Sequence, residues 1–267
     1  MLLVQDSIKV PLRFADPDKP AGVMMAKAQD QSSMSFVEHE IEVRNGRCCD
    51  EEVSLDTTGF ELVKHRTAVT DFESDEQIER IYKPEVIALV KSLTGCRRVV
   101  LFHELGRWET GEERGLRKPA GNAHIDYTVE SMRTWVRQKI GDEEAEAEFS
   151  SGRWAVLNVW RGITTVERQP LAVADARTID FDNFKDVPIH HLPGEPTPFT
   201  GRNLMHDPKQ KWYYFPLMKP DEALVFRQFD SDESKPQPVA HGAINDPTSA
   251  PDAALRASYE VRAAVFF

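Results

Sequence analysis

Apolar and polar residues alternate with period two over much of this 267-residue chain, the pattern of half-buried β-strands. Residues 35–43 alternate in this way. Asn45-Gly46 then offers a two-residue turn, and residues 47–55 read as the returning arm of a hairpin. A second turn, Asp56-Thr57-Thr58-Gly59, leads into Phe60-Glu61-Leu62-Val63. Residues 98–103, 154–163, 171–174, 211–215, 223–229 and 259–267 supply further strands. The period changes to a helical one over residues 74–94, where Ile78, Ile81, Tyr82, Leu89 and Leu93 share a face. Ser74 with Gln77 predicts a capping box, Pro84 a kink or a restart, and Gly95 the stop. A second helix runs from a Thr128 cap through Met132, Trp135, Val136 and Ile140 to Gly141. Residues 1–33, punctuated by Pro11, Pro17 and Pro20, read as an extended lead-in. Residues 180–210, with five of the seventeen prolines and His190, His191 and His206, read as a long active-site loop. Helices that feed a run of strands predict a mainly β fold with flanking helices, a jelly-roll or cupin-like barrel. No repeat or linker divides the chain, so residues 1–267 are expected to form one domain.

Composition narrows the function more than the fold. Forty per cent hydrophobic residues suit a packed globular chain. A net charge of −11 argues against nucleic acid and anionic membrane as partners, since both call for a basic footprint. No apolar run approaches a membrane span. The acidic stretch 142–148 reads as a solvated helix face. Three cysteines, Cys48, Cys49 and Cys96, do not form a disulfide framework, and with no signal peptide the expected setting is reducing and cytoplasmic.

The chemistry is carried by order and spacing. In an extended segment, residues i and i+2 face the same side, so His124 and Asp126 reach one point. A second histidine, His241, follows on a distant segment, and the three together have the composition of a two-histidine, one-carboxylate facial triad for Fe(II). Fifteen residues on, Arg256 and Ser258 suit the far carboxylate of 2-oxoglutarate, because a guanidinium is a planar two-pronged donor. A His-x-Asp tripeptide is unremarkable in a chain with eight histidines. The opposing reading makes His124 a surface histidine and Arg256 a solvated charge. Around these residues, Tyr127 follows the metal carboxylate, as a contact for 2-oxoglutarate or a packing residue. On the strand at 154–163, Asn158 and Trp160 share one face, and Asn158 needs a polar partner there. Arg161, on the other face, reads as a substrate contact or a structural ion pair, with the structural role favoured. His103, His190, His191 and His206 read as satisfied or solvated side chains, and Asp221-Glu222 as a turn entering a strand.

Several segments together resemble a known family. They are 55–63, Thr70-Asp71-Phe72, 82–86, Ala123-His124-Ile125-Asp126-Tyr127, Asn158-Val159-Trp160-Arg161, 170–177, Tyr214-Phe215-Pro216, 220–224, Phe229-Asp230-Ser231, Ala240-His241, Asp246-Pro247-Thr248 and 256–262. The chain is similar to the AsaB/CmcJ-like hydroxylase/desaturase family found around secondary-metabolite pathways. The resemblance leaves out only residues 1–33 and 180–210. It implies a double-stranded β-helix fold and iron held by His124, Asp126 and His241. Arg256 and Arg262 both lie in matched motifs and compete for the 2-oxoglutarate carboxylate; the Arg-x-Ser pattern and the distance from His241 favour Arg256. The expected activity is hydroxylation, desaturation or oxidative cyclisation of a small secondary-metabolite or amino-acid-like substrate, with Fe(II), 2-oxoglutarate and O2. Two rivals stand beside it: a cupin-like metal dioxygenase that uses no 2-oxoglutarate, and a non-catalytic binding subunit of a biosynthetic complex. A homodimer or a pathway-protein partner fits either picture.

Overall fold

The computed structural model describes residues 5–25, 31–109, 118–190 and 199–267. Fourteen strands form two sheets. Along the chain they are β1 (Ser7–Ala15), β2 (Met24–Met25), β3 (Phe36–Asn45), β4 (Phe60–Lys64), β5 (Arg98–Trp108), β6 (His124–Ile125) and β7 (Trp154–Gly162). There follow β8 (Leu171–Ala174), β9 (Phe184–His190), β10 (Phe199–Leu204), β11 (Trp212–Tyr214), β12 (Glu222–Asp230), β13 (His241–Ala243) and β14 (Ala257–Phe266). The larger sheet has the order β1-β3-β11-β8-β13-β6-β10-β9-β2, the smaller β4-β12-β7-β14-β5. The two curl against each other as a double-stranded β-helix, with the helices outside.

The smaller sheet separates two environments by its period of two. Leu157, Val159, Val261, Ala263 and Val265 face outward and pack on Tyr82, Val86 and Val90 of the helical segment. The opposite faces turn inward. There Asn158 pairs across the ladder with Arg262, and Trp160 with Glu260. His103 lies opposite Arg262 and Arg107 opposite Ser258 on β5. A polar row therefore runs up the inside of an otherwise apolar barrel. Towards one end of the barrel, α3 (Val129–Ile140) and α4 (Asp142–Ser150) bury Met132, Val136 and Phe149 against Trp154, Val156 and Phe266, which share the sheet face of Asn158 and Arg262. α4 is not wholly solvated: Glu148 is buried and pairs with Arg97 and Arg98.

Three expectations about elements are corrected. The returning hairpin arm over residues 47–55 is absent, and β3 pairs instead with β1 and, in parallel, with β11. Asn45 turns the chain away: its Oδ1 accepts from the Arg47 amide at 2.9 Å, and Gly46 lies where a Cβ would meet the Phe215 ring at 2.5 Å. Residues 7–15 are not a lead-in but the edge strand β1, with Ile8, Val10, Leu12 and Phe14 buried. Pro11 is tolerated because an edge strand has one face of its ladder free. The stretch 180–210 is not a continuous loop, since β9 and β10 pair antiparallel within it; His191 and the rest of 191–198 lie outside the described residues. The helix at 74–94 restarts at Pro84, one of the two outcomes its proline predicts. Ser74 Oγ accepts from the Gln77 amide at α1 (Asp75–Gln77), a π turn spans Ile78–Tyr82, and α2 (Lys83–Thr94) runs to Gly95 at φ 68°. The amide missing at Pro84 is the one the Arg80 carbonyl would have accepted from.

Candidate metal centre

β6 and β13 are neighbours in the larger sheet with His241 directly opposite His124, so their rings approach to 4.4 Å between centroids. The approach needs Gly242: a Cβ there would stand 2.7 Å from the Asn122 carbonyl oxygen. Asp126 follows β6. Ligand atoms of His124, Asp126 and His241 all lie within 4.8 Å of one another. Among the described residues, this is the only such group of His, Cys, Asp and Glu. The Asn122 carbonyl, 2.8 Å from His124 Nδ1, accepts the ring proton there and leaves Nε2 bare, 4.0 Å from Asp126 Oδ1. The buried Nδ1 of His241 makes no hydrogen bond of good geometry, although the Val239 carbonyl acts on the ring. Burial, reinforced at His124 by His241, pulls both imidazole pKa values down to about 4. His124 opens on a cavity, its side chain 15% exposed. Two neutral imidazoles and an ionised carboxylate, with one buried ring nitrogen unpartnered, fit a divalent transition-metal ion.

The carboxylate is held from the smaller sheet. Arg262 donates Nε to Asp126 Oδ2 at 2.8 Å and Nη2 to Oδ1 at 2.7 Å, and Asn158 Nδ2 reaches Oδ2 at 2.6 Å. Burial works to raise the Asp126 carboxyl, but Arg262 and His241 hold it well below the usual range. Gln228 on β12 joins the two ligand-bearing segments: its Oε1 accepts from the Asp126 amide at 3.1 Å and its Nε2 donates to the Val239 carbonyl at 2.8 Å. Arg262 Nη1 donates to His103 Nδ1 at 3.0 Å, and Tyr127 Oη lies 2.9 Å from the same nitrogen. Because a guanidinium can only donate, His103 is neutral with its proton on Nε2.

Above the triad lies a cavity of about 420 Å³. His103, Tyr127, Trp135 and Phe199 form one wall, with Trp135 stacked on His103 at 4.8 Å and on Phe199 at 4.2 Å. Met24, Met34, Val187 and Ile189 extend the apolar lining, and Arg13, Arg107 and Arg202 stand among it. β9 and β10, within 180–210, thus border the site as strands.

The structure places the other sequence-derived residues as follows. Arg256 and Ser258 are buried inside the barrel. Arg256 Nη1 donates to the Gln169 carbonyl at 2.7 Å, Nε and Nη2 approach Ser258 Oγ, and the guanidinium lies over Trp160 at 5.0 Å. No carboxylate among the described residues forms an ion pair with it. Burial, with Arg107 nearby, draws its pKa down to about 9, which leaves it charged at neutral pH. Arg262 is engaged by Asp126 and lies 3.6 Å from Glu260. Trp160 supports Arg256 rather than facing the cavity. Arg161 points the opposite way, donating to Tyr82 Oη at 3.0 Å, to His65 and to the Pro220 carbonyl, which makes it structural. His206 is not simply solvated but stacks on His39 at 4.0 Å. His103, Gln228, Glu260 and Arg107 were missed as site residues. The available signal was the alternation of Ser258, Glu260 and Arg262 with Tyr259, Val261 and Ala263, which marks a strand with a charged inner face.

A family model described as "Oxidoreductase/YMDC permease-like domain" matches residues 12–266. No helix among the described residues is long and apolar enough to cross a membrane. The chain is 29% identical over 228 residues to the alpha-ketoglutarate-dependent dioxygenase tstK of Talaromyces stipitatus, covering 81% of each. It is 31% identical over 250 residues to the hydroxylase/desaturase CTB9 of Cercospora beticola, covering 85% of this chain and 76% of that protein. A solved structure of the iron and alpha-ketoglutarate-dependent endoperoxidase NvfI superposes with a TM-score of 0.87 at 27% identity, over 98% of both chains. With the fold, the extent of these matches and the triad in agreement, the chain belongs to this oxidoreductase family, among the hydroxylase/desaturase-type Fe(II)/2-oxoglutarate-dependent oxygenases.

Proposed function

We propose that this protein uses Fe(II), 2-oxoglutarate and O2 to hydroxylate, desaturate or oxidatively cyclise a small secondary-metabolite or amino-acid-like substrate. The observation that carries the reading is the His124–Asp126–His241 cluster at the foot of a cavity, with both imidazoles neutral at working pH. Iron(II) bound there supplies, with 2-oxoglutarate and O2, the oxidising power to remove hydrogen from an unactivated C–H bond. For hydroxylation the balance is substrate, 2-oxoglutarate and O2 going to hydroxylated product, succinate and CO2.

The chain's own residues bind, orient and exclude water. Arg256 and Ser258 would hold the distal carboxylate of 2-oxoglutarate, because a charged, buried guanidinium without an ion-pair partner calls for an anion. The same feature favours this reading over a cupin-type dioxygenase that uses no 2-oxo acid. The Tyr127, His103, Trp135 and Phe199 wall would pack against an apolar substrate face and keep water from the reacting centre. A cavity of about 420 Å³ suits a small molecule, and its aromatic wall beside Arg13, Arg107 and Arg202 suits one with both apolar and polar parts. The test is anaerobic titration of 2-oxoglutarate into Fe(II)-loaded protein, followed by the visible charge-transfer absorption of a chelated 2-oxo acid. The band should appear in the wild type and vanish in Asp126→Ala. Its absence from the wild type would contradict the proposal.

A further inference from the structure

A carboxylate offers roughly four acceptor positions, two on each oxygen, and on Asp126 they are unevenly occupied. Oδ2 takes Arg262 Nε at 2.8 Å and Asn158 Nδ2 at 2.6 Å, which fills it. Oδ1 takes only Arg262 Nη2 at 2.7 Å and is the oxygen 4.0 Å from the bare Nε2 of His124. We propose that Arg262 and Asn158 are positioning residues that restrict Asp126 to one metal-coordinating oxygen, Oδ1.

Both partners are themselves fixed. They are direct cross-strand neighbours on β14 and β7, so they reach Asp126 from one rigid place in the opposite sheet. Asn158 is fully buried, and its amide also donates to Glu260. Arg262, 2% exposed, spends its remaining prong on His103. Neither Asn158 nor Arg262 can turn away without leaving a buried polar group unpaired, which costs about 1–3 kcal/mol or more where a charge is involved. Oδ2 is therefore not released to a metal under ordinary fluctuations.

The consequence lies in coordination number and rests on the oxygenase reading given above. An octahedral ion held by two imidazoles and one oxygen keeps three positions open. A 2-oxo acid chelating through two atoms takes two of them, and one is left for O2. Were Asp126 to chelate through both oxygens, that last position would be filled. The pair thus protects the O2 site without touching it.

The experiment uses nitric oxide as an O2 surrogate on the anaerobic Fe(II)·2-oxoglutarate protein, read by electron paramagnetic resonance, with Fe(II) affinity measured alongside. In Asn158→Leu, Oδ2 loses an amide donor and becomes available to the metal. Nitric oxide affinity should drop ~10-fold or more, the range by which outer-shell changes usually perturb a metal site, while iron is retained. Arg262→Lys keeps the charge but cannot span both oxygens, and should show the same loss; it also serves if Asn158→Leu does not fold. A purely structural role would lower the melting temperature and leave nitric oxide affinity per bound iron unchanged, and that result in either folded variant overturns the proposal. A wild type that binds no 2-oxoglutarate would overturn the oxygenase reading itself, which separates the two failures.

Discussion

At His124 and His241, burial, aided by His241 beside His124 and by Arg262 beside His241, keeps both imidazoles unprotonated in the folded chain, with pKa values of about 4 against an ordinary 6.5. Unfolding restores the ordinary value, so below about pH 6.5 the unfolded chain takes up protons that the folded chain does not. The stability tied to these rings is therefore complete above 6.5 and declines as pH falls toward 4. The metal-free protein should show a falling urea midpoint between pH 6.5 and 5, and the double variant His124→Gln/His241→Gln should flatten that slope. A midpoint independent of pH in the wild type would contradict the electrostatic description. Arg256 presents the opposite case, a residue kept charged where charge is costly. Arg256→Leu should raise the 2-oxoglutarate concentration needed for half-maximal succinate formation on the order of 100-fold, the usual scale for removing one partner of a buried charge pair. Unchanged 2-oxoglutarate dependence would place the co-substrate carboxylate elsewhere.

The site is assembled from short strands of two sheets, and contacts between elements set its precision. Gly242 lets β13 lie against the segment leading into β6, and a methyl group at that position would push into backbone rather than into a movable side chain. Gly242→Ala should cost about 1–3 kcal/mol and weaken Fe(II) binding, measurable by thermal melting and metal titration; a stable variant with normal metal affinity would show that the approach is looser than described. Gln228 fixes the same two segments through hydrogen bonds. Gln228→Leu should lower metal affinity about 10- to 100-fold with little change in the overall fold by circular dichroism.

Much of this layout could be read from sequence, because the relevant periods are local. His124 and Asp126 declare themselves two residues apart in an extended segment, and Asn158 stands out as polar in an apolar strand. What could not be read was pairing. Nothing local says that Arg262 will meet Asp126 from the other sheet, nor that β3 will prefer β1 and β11 to residues 47–55. Proline misled twice. At Pro11 it masked an edge strand, and at Pro188 it masked β9, where the ring faces solvent while Val187 is buried. Gln228 left no signal, since a lone glutamine in a strand is ordinary.

For the molecule as a whole, the two sheets divide the work. The larger sheet carries His124 and His241, with Asp126 just past β6, the residues that would hold the metal. The smaller carries the inner row of Asn158, Glu260 and Arg262 that orients them, with Arg256 and Ser258 further along the same face. The cavity and its aromatic wall lie beside the triad, where a substrate would sit. The central claim is that this arrangement couples 2-oxoglutarate breakdown to a metal held by His124, Asp126 and His241. The most direct measurement is succinate formed from 2-oxoglutarate by Fe(II)-loaded protein in air, without added substrate, beside His124→Ala and Asp126→Ala. The account predicts slow, iron-dependent succinate formation in the wild type and none above background in either variant. No succinate from iron-loaded wild type, or equal amounts from all three proteins, would contradict it.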